Sequence, residues 1–355
     1  MFLAATGVAS LFAAVLAALL VQRRLRQARI ASQLRLRGDR GIDEEHFLKI
    51  GGIDQWIGIR GEDANNPVLL VVHGGPGSSC SAFTPRIRSW EKHFTVVQWD
   101  QRGCGKTLAR TGRSNSGQIT MNRLIKDGIE VAEYLCARFR KERIFLLANS
   151  FGTTFGMDIA RLRPDLLYAY IGADQNVGMV REREEKQREV ISRLRSAGLI
   201  KGIKALERIG ADPTRWTPDD FTAVARWTMK SDPQGFRCTM KFLRDSIWYA
   251  PGWKLKDIYT FISGMSFSLK QLLPEASRYD AWRQGTRFEV PIFIFQGEKD
   301  VLLTPQLARA YFDDLVAPVK RMTLISGSGH FAVFRRPELV LEELLTHVRP
   351  IAETA

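Results

Sequence analysis

The chain has 355 residues, 45% hydrophobic and 25% charged, which excludes a disordered or fibrous protein and suits one large domain or a core carrying a substantial insertion. Net charge is +14, but a net +6 falls between Gln22 and Arg40, where seven Arg stand against one Asp. The rest is spread over residues of mixed sign with no aromatic-interleaved basic patch and no zinc spacing, so nucleic acid and metal are not expected partners. Cys80, Cys104, Cys136 and Cys238 contain no CxxC and read as scattered free thiols, with a lone disulfide left open.

The N-terminus carries the first signal. Phe2 to Val21 is a run of 20 uncharged residues, about the length that crosses a bilayer as a helix. "QRRLRQAR" follows at once, whereas a secretory signal places its positive charge ahead of the apolar run. Residues 1–22 are therefore expected to form a retained N-terminal transmembrane helix. Arginines after the span orient the catalytic domain toward the cytoplasm, as a single-pass membrane protein. A buried helix and a cleaved signal are the other readings of the same run. Residues 23–45 read as a basic connector that meets anionic headgroups.

The core starts near residue 46. "HFLKIGGIDQWIGIRG" predicts two short strands around a Gly-Gly turn, and "PVLLVVHGGPG" a buried strand that breaks into a glycine loop. "FTVVQWDQRGCGKT" repeats that pattern. Apolar residues at helical spacing (Leu124, Ile125, Ile129, Ala132, Leu135) predict a helix, "RIFLLANS" another buried strand, and "YAYIGAD" one more. From 175 to 284 strand-like runs vanish and helical patterns take over. The alternation resumes over 285–355 with "VPIFIFQGEKD", "PQLARAYFDDL", "RMTLISGSGH" and a closing helix. Strands alternating with helices imply a mostly parallel sheet with helices on both faces. Residues 46–174 and 285–355 are its two parts, and 175–284 an inserted helical cap.

In open sheets of this type functional groups gather where strands end. Five strand ends carry unusual loops: "HGGPG" at 73–77, "DQRGCGKT" at 100–107, "NSFG" at 149–152, "GEKD" at 297–300 and "GSGH" at 327–330. A serine hydroxyl becomes a nucleophile when a base takes its proton and a carboxylate orients that base. Ser150, His330 and Asp300 supply those three types, each just past a strand. Their chain order, Ser then Asp then His, is that of the α/β-hydrolases, whose serine sits on a tight strand-to-helix turn. Such a turn demands small residues two before and two after the serine; here they are Ala148 and Gly152, with Ala replacing the usual first Gly. Acyl transfer also needs backbone N–H donors for the developing oxyanion, and Gly75 and Phe151 are the expected donors. Serine at 150 argues against enzymes of this fold that attack through a carboxylate.

HGGPG, DQRGCGKT, the serine turn, the Gly297-x-x-Asp300 loop and Gly329-His330 together resemble the proline iminopeptidase family of α/β-hydrolases over about residues 46–350. The resemblance implies a serine aminopeptidase-like fold with a helical cap, without metal or cofactor, that releases N-terminal residues from small peptides or amides. It implies Ser150 as nucleophile, His330 as general base and acid, and Asp300 as its orienter. It also implies that the DQRGCGKT loop supports the oxyanion loop, with Asp100 and Arg102 paired. Family members that remove Pro hold the substrate's ammonium with cap carboxylates. Glu182, Glu184 and Glu185 are acids of this cap, within a stretch that reads as an exposed charged helix. The alternative function is a carboxylesterase acting on a hydrophobic acyl ester, since the same triad serves esters.

Overall fold

A computed structural model describes residues 2–36 and 39–354, and the side chains of all of these except 2–10 and 354. Among the described residues eight strands form one sheet in the order β1-β2-β4-β3-β5-β6-β7-β8. They are β1 (Ile42–Ile50), β2 (Ile53–Gly61), β3 (Val68–Val72), β4 (Thr95–Asp100), β5 (Ile144–Asn149), β6 (Leu167–Ala173), β7 (Ile292–Gly297) and β8 (Lys320–Ile325). The β1–β2 hairpin turns at Gly51 and Gly52, both at positive φ, and pairs antiparallel with β4. Every pairing from β4 to β8 is parallel. Parallel strands are covered on both faces, which is why β3, β5 and β7 are buried along their whole length. Alternation still divides them: Leu70, Val72, Leu146 and Ala148 join the core on one face, and Leu69, Val71, Phe145 and Leu147 that on the other.

Helix α1 (Phe2–Gln33) precedes the sheet. The helices α2 (Gly105–Thr111), α3 (Met121–Phe139) and α4 (Gly152–Leu162) follow β4 and β5. α3 begins where Thr120 accepts from the Arg123 N–H and ends at Arg140 in the left-handed region. Between β6 and β7 stand α5 (Arg183–Ser196), α6 (Ile200–Ile209), α7 (Pro218–Lys230), α8 (Pro233–Trp248) and α9 (Leu255–Ala276). The first three of these share a small core of their own, built on Leu194, Leu206 and Trp216. Helices Pro305–Asp314 and Pro337–Glu343 flank β8.

Helix α1 runs on through the first arginines of the expected connector and packs one face of that stretch against protein. Arg23 and Gln27 are buried. The Arg23 guanidinium donates to the carbonyls of Trp248 (2.9 Å) and Trp253 (2.8 Å), and the Gln27 amide to that of Ala250 (2.7 Å). Arg23 and Arg26 also lie over the rings of Trp248 and Tyr249. The basic half of α1 is thus pinned to the α8–α9 connection. Part of the apolar run, residues 2–10, lies outside the described side chains; among the described residues no helix is long and apolar enough to cross a membrane. Leu11, Phe12, Val15, Leu16 and Leu19 of α1 are exposed.

Candidate active site

The β5–α4 turn presents Ser150. Its φ is +52°, a strained conformation for a residue with a side chain, held because its N–H donates to the Ala173 carbonyl (2.8 Å) and its carbonyl accepts from the Thr153 hydroxyl (2.6 Å). The turn lies so close to β3 that a Cβ on Gly152 would stand 2.6 Å from the His73 carbonyl oxygen. Two residues before the serine, the Ala148 methyl is fully buried, and Gly156 of α4 leaves the space it occupies.

Strands β7 and β8 bring up the other two groups. A Cβ on Gly297 would meet the Gly329 carbonyl oxygen at 2.4 Å, so the two loops cross almost in contact, which accounts for glycine in both motifs. Lys299 N–H donates across this crossing to the Ser328 carbonyl (2.8 Å). The result is a continuous relay. Ser150 Oγ is 3.0 Å from His330 Nε2, and His330 Nδ1 is 2.7 Å from Asp300 Oδ2. The second Asp300 oxygen accepts from the N–H groups of Leu302 and Leu303, which fixes the carboxylate. Asp300 therefore accepts a hydrogen bond from Nδ1–H, which fixes the tautomer and leaves Nε2 free to accept from the serine hydroxyl.

A second carboxylate, Asp174, sits behind the ring. It follows β6, is fully buried at φ +48°, and lies 3.9 Å from His330 Nδ1 while accepting from Gly297 N–H and Ala332 N–H. Sequence reasoning passed over it, although its place at a strand end was the available signal. Burial pulls the His330 imidazole down, but the Asp300 charge and hydrogen bond, aided by the Asp174 charge, override this and raise it to about 9. Burial likewise pushes Asp174 above the usual carboxylate range.

The HGGPG loop lies against the serine turn. Gly75 (φ +117°) and Phe151 line the same cavity as Ser150 and His330. Among the described residues neither Gly75 N–H nor Phe151 N–H has a protein acceptor. His73 holds this loop to the next: its Nδ1 donates to the Gly74 carbonyl, and its one Nε2 lone pair is shared between Gln101 N–H (3.2 Å) and the Cys104 thiol (3.0 Å), which also reaches the Gln101 carbonyl (3.1 Å). Burial depresses His73 to about 4 and raises Cys104 well above the ordinary thiol range, so both are neutral and their hydrogen bond is satisfied. His73, Asp100 and Cys104 stand close enough to share an ion, but this is a pair of uncharged partners tying two loops together. All four cysteines are free thiols.

The expected Asp100–Arg102 pair is not formed. The Arg102 guanidinium turns instead to Asp127 of α3, fully buried, with contacts of 2.5 and 3.0 Å, and to the Ser116 carbonyl. Asp100 accepts from Lys106 N–H (2.7 Å), and burial pushes it up to about 6. α2 begins directly after the loop, and the N–H of its second residue, Lys106, takes the Asp100 carboxylate in place of a guanidinium.

Above Ser150 the cap encloses a cavity of about 170 Å³, lined mainly by apolar side chains from α7, α9 and the β7 loop. Glu182, Glu184 and Glu185 are exposed and do not line it. Its charged lining is basic: Arg181, Arg183 and Lys186.

A hydroxyl, an imidazole and a carboxylate carried to one point by three strand ends, under a helical cap, define an α/β-hydrolase. The chain belongs to that family: the model of the alpha/beta hydrolase family matches residues 69–343. Among its relatives, the probable aminopeptidase YbaC of Bacillus subtilis is 30% identical over 309 residues, covering 85% of this chain and 95% of that protein. Among solved structures, the proline iminopeptidase of Mycobacterium smegmatis superposes with a TM-score of 0.59 at 18% identity, covering 88% of this chain and 99% of that one. A membrane phospholipase A, described as a bacterial virulence factor, gives a TM-score of 0.59 at 17% identity and covers 99% of both chains, α1 included.

Proposed function

We propose that this chain is a serine hydrolase that works through an acyl-enzyme and releases N-terminal residues from peptides or small amides. One observation carries the chemistry: the unbroken Ser150–His330–Asp300 relay opening into the cavity beside two unpartnered backbone N–H groups. In the proposed mechanism His330 Nε2 takes the serine proton as Oγ attacks the substrate carbonyl. The Gly75 and Phe151 N–H groups receive the oxyanion. The tetrahedral intermediate collapses, His330 passes its proton to the leaving nitrogen, and water then attacks the acyl-Ser150 ester by the same route. The aminopeptidase assignment is supported by the relatives named above.

The cavity favours a second reading. It is largely apolar and no Asp or Glu lines it, as a hydrophobic acyl ester would require. We also propose that α1 anchors the enzyme in a membrane with the catalytic domain on the cytoplasmic side. The uncharged run, the arginines after it and the likeness to a membrane phospholipase along the whole chain support this. The deciding experiment profiles the purified full-length enzyme on prolyl and other aminoacyl amides beside short and long p-nitrophenyl esters. Turnover of amides supports the aminopeptidase; ester turnover with silence on every amide replaces it with the esterase.

A further inference from the structure

Two cations of the cavity lack a carboxylate partner among the described residues. Arg181 is already answered: it pairs with Asp280 at 3.2 Å and lies over the Trp282 ring. Arg183 and Lys186, one turn apart on α5, are half-buried and form no ion pair with any described carboxylate. Among the described residues Arg183 makes no hydrogen bond; its Nε is sealed from solvent and unpartnered, and its guanidinium carbon lies over Trp216, 4.2 Å from the ring centre. The Lys186 ammonium donates only to the Leu302 carbonyl. Desolvation lowers Arg183 to about 10, and desolvation with the Arg183 charge lowers Lys186 to about 8 against the opposing pull of Asp300 and Glu189. Folding a cation into such a place is unfavourable unless something else completes it.

We propose that Arg183 and Lys186 form a subsite for an anionic group, a carboxylate or a phosphate, carried by the substrate away from the scissile bond. The inference rests on the serine hydrolase reading, since Ser150 and His330 share this cavity. The planar guanidinium rests over the Trp216 ring with N–H groups that no described residue engages and that can fork onto two oxygens, while the ammonium adds a point charge one helical turn on. The exposed cap acids leave no carboxylate in the cavity to receive an ammonium. An anion at the far end of the substrate supplies what the lining lacks, either the free C-terminus of a short peptide or the distal carboxylate of an acyl chain.

The test measures kcat/KM of the full chain on matched pairs. On the acyl side, p-nitrophenyl monoesters of adipate, suberate and sebacate are set against p-nitrophenyl alkanoates of equal length, with an ω-phosphono ester as the phosphate arm. On the leaving-group side, Pro-Ala is set against its C-terminal amide. The anionic member of at least one pair is expected to be preferred by about 10- to 100-fold, the worth of a charge-assisted hydrogen bond. Arg183→Gln and Lys186→Met should each bring that ratio toward one, Arg183→Lys should restore part of it, and Arg183→Glu should reverse it. Any effect of Lys186 on His330 cancels within a pair. Equal or preferred turnover of the neutral member, or a ratio untouched by the variants, overturns the subsite while leaving the hydrolase intact. Absence of all turnover, with no labelling of Ser150 by a fluorophosphonate, removes the hydrolase reading and the subsite with it.

Discussion

The Ala148 methyl carbon lies 2.7 Å from where a Cβ on Gly156 would stand. The serine turn of this chain therefore tolerates Ala in place of the customary Gly because the following helix gives up a side chain opposite it. Gly156→Ala is expected to destabilise the fold by about 1–3 kcal/mol, as overpacking does in a dense core. Ala148→Gly in the same chain should recover most of that loss. A double-mutant cycle by urea denaturation checks it; additive effects would show that the two sites do not share the space.

Ser150→Ala and His330→Ala should each lower kcat by about 10⁴-fold or more, with residual catalysis left to the oxyanion donors. Their combination should cost little beyond either alone, because the two groups act as one unit. Steady-state rates on the best substrate of the profile decide this, and a near-normal rate in either variant rejects the assigned roles.

His330 works as a base only when neutral. Its raised value places the rise of kcat/KM with pH near 9, with activity lost as pH falls below it. Asp300→Asn removes the charge and hydrogen bond that hold the imidazole up, so the rise should move to lower pH while the plateau drops steeply. Asp174→Asn removes a charge 3.9 Å away and one of two acceptors for backbone N–H groups, and should move the same limb in the same direction with a milder loss. A pH–rate profile of the three proteins separates an orienting carboxylate from one that supports it electrostatically.

Asp127 holds the Arg102 guanidinium in a fully buried pair. Asp127→Ala leaves that cation without its counter-charge and is expected to cost about 3–5 kcal/mol in stability. Arg102→Met should be better tolerated when made together with Asp127→Leu, since the pair's desolvation cost then disappears with it. Thermal unfolding of the two variants provides the comparison.

The joint between α1 and the cap has its own expected outcome. Arg23→Ala with Gln27→Ala removes the side-chain donors from three backbone carbonyls, at 248, 250 and 253. Limited proteolysis should then cut near residues 34–41 far faster than in the parent protein, as α1 comes away from the α8–α9 connection.

The sheet was legible because central parallel strands covered on both faces read as short apolar runs, and several of these runs end in loops dense in glycine and polar residues. Ser150, Asp300 and His330 could be picked out by residue type and position, since chemistry constrains both. Partner choice was not legible. Arg102 stands two residues from Asp100 yet bonds to Asp127, because the start of α2 reaches the Asp100 carboxylate first. Asp174 ends a strand as plainly as Asp300 does, but only the packing of β6 beside β7 puts it behind the imidazole. The arginines after the apolar run read as a basic flank for anionic headgroups, and only the fold shows Arg23 taken up by carbonyls of the α8–α9 connection. Local pattern determines which elements form and which groups stand at their ends. Which of those groups meet, and which cations are left waiting in the cavity, depends on side chains distant in the chain competing for the same few buried positions, and only the folded whole decides that.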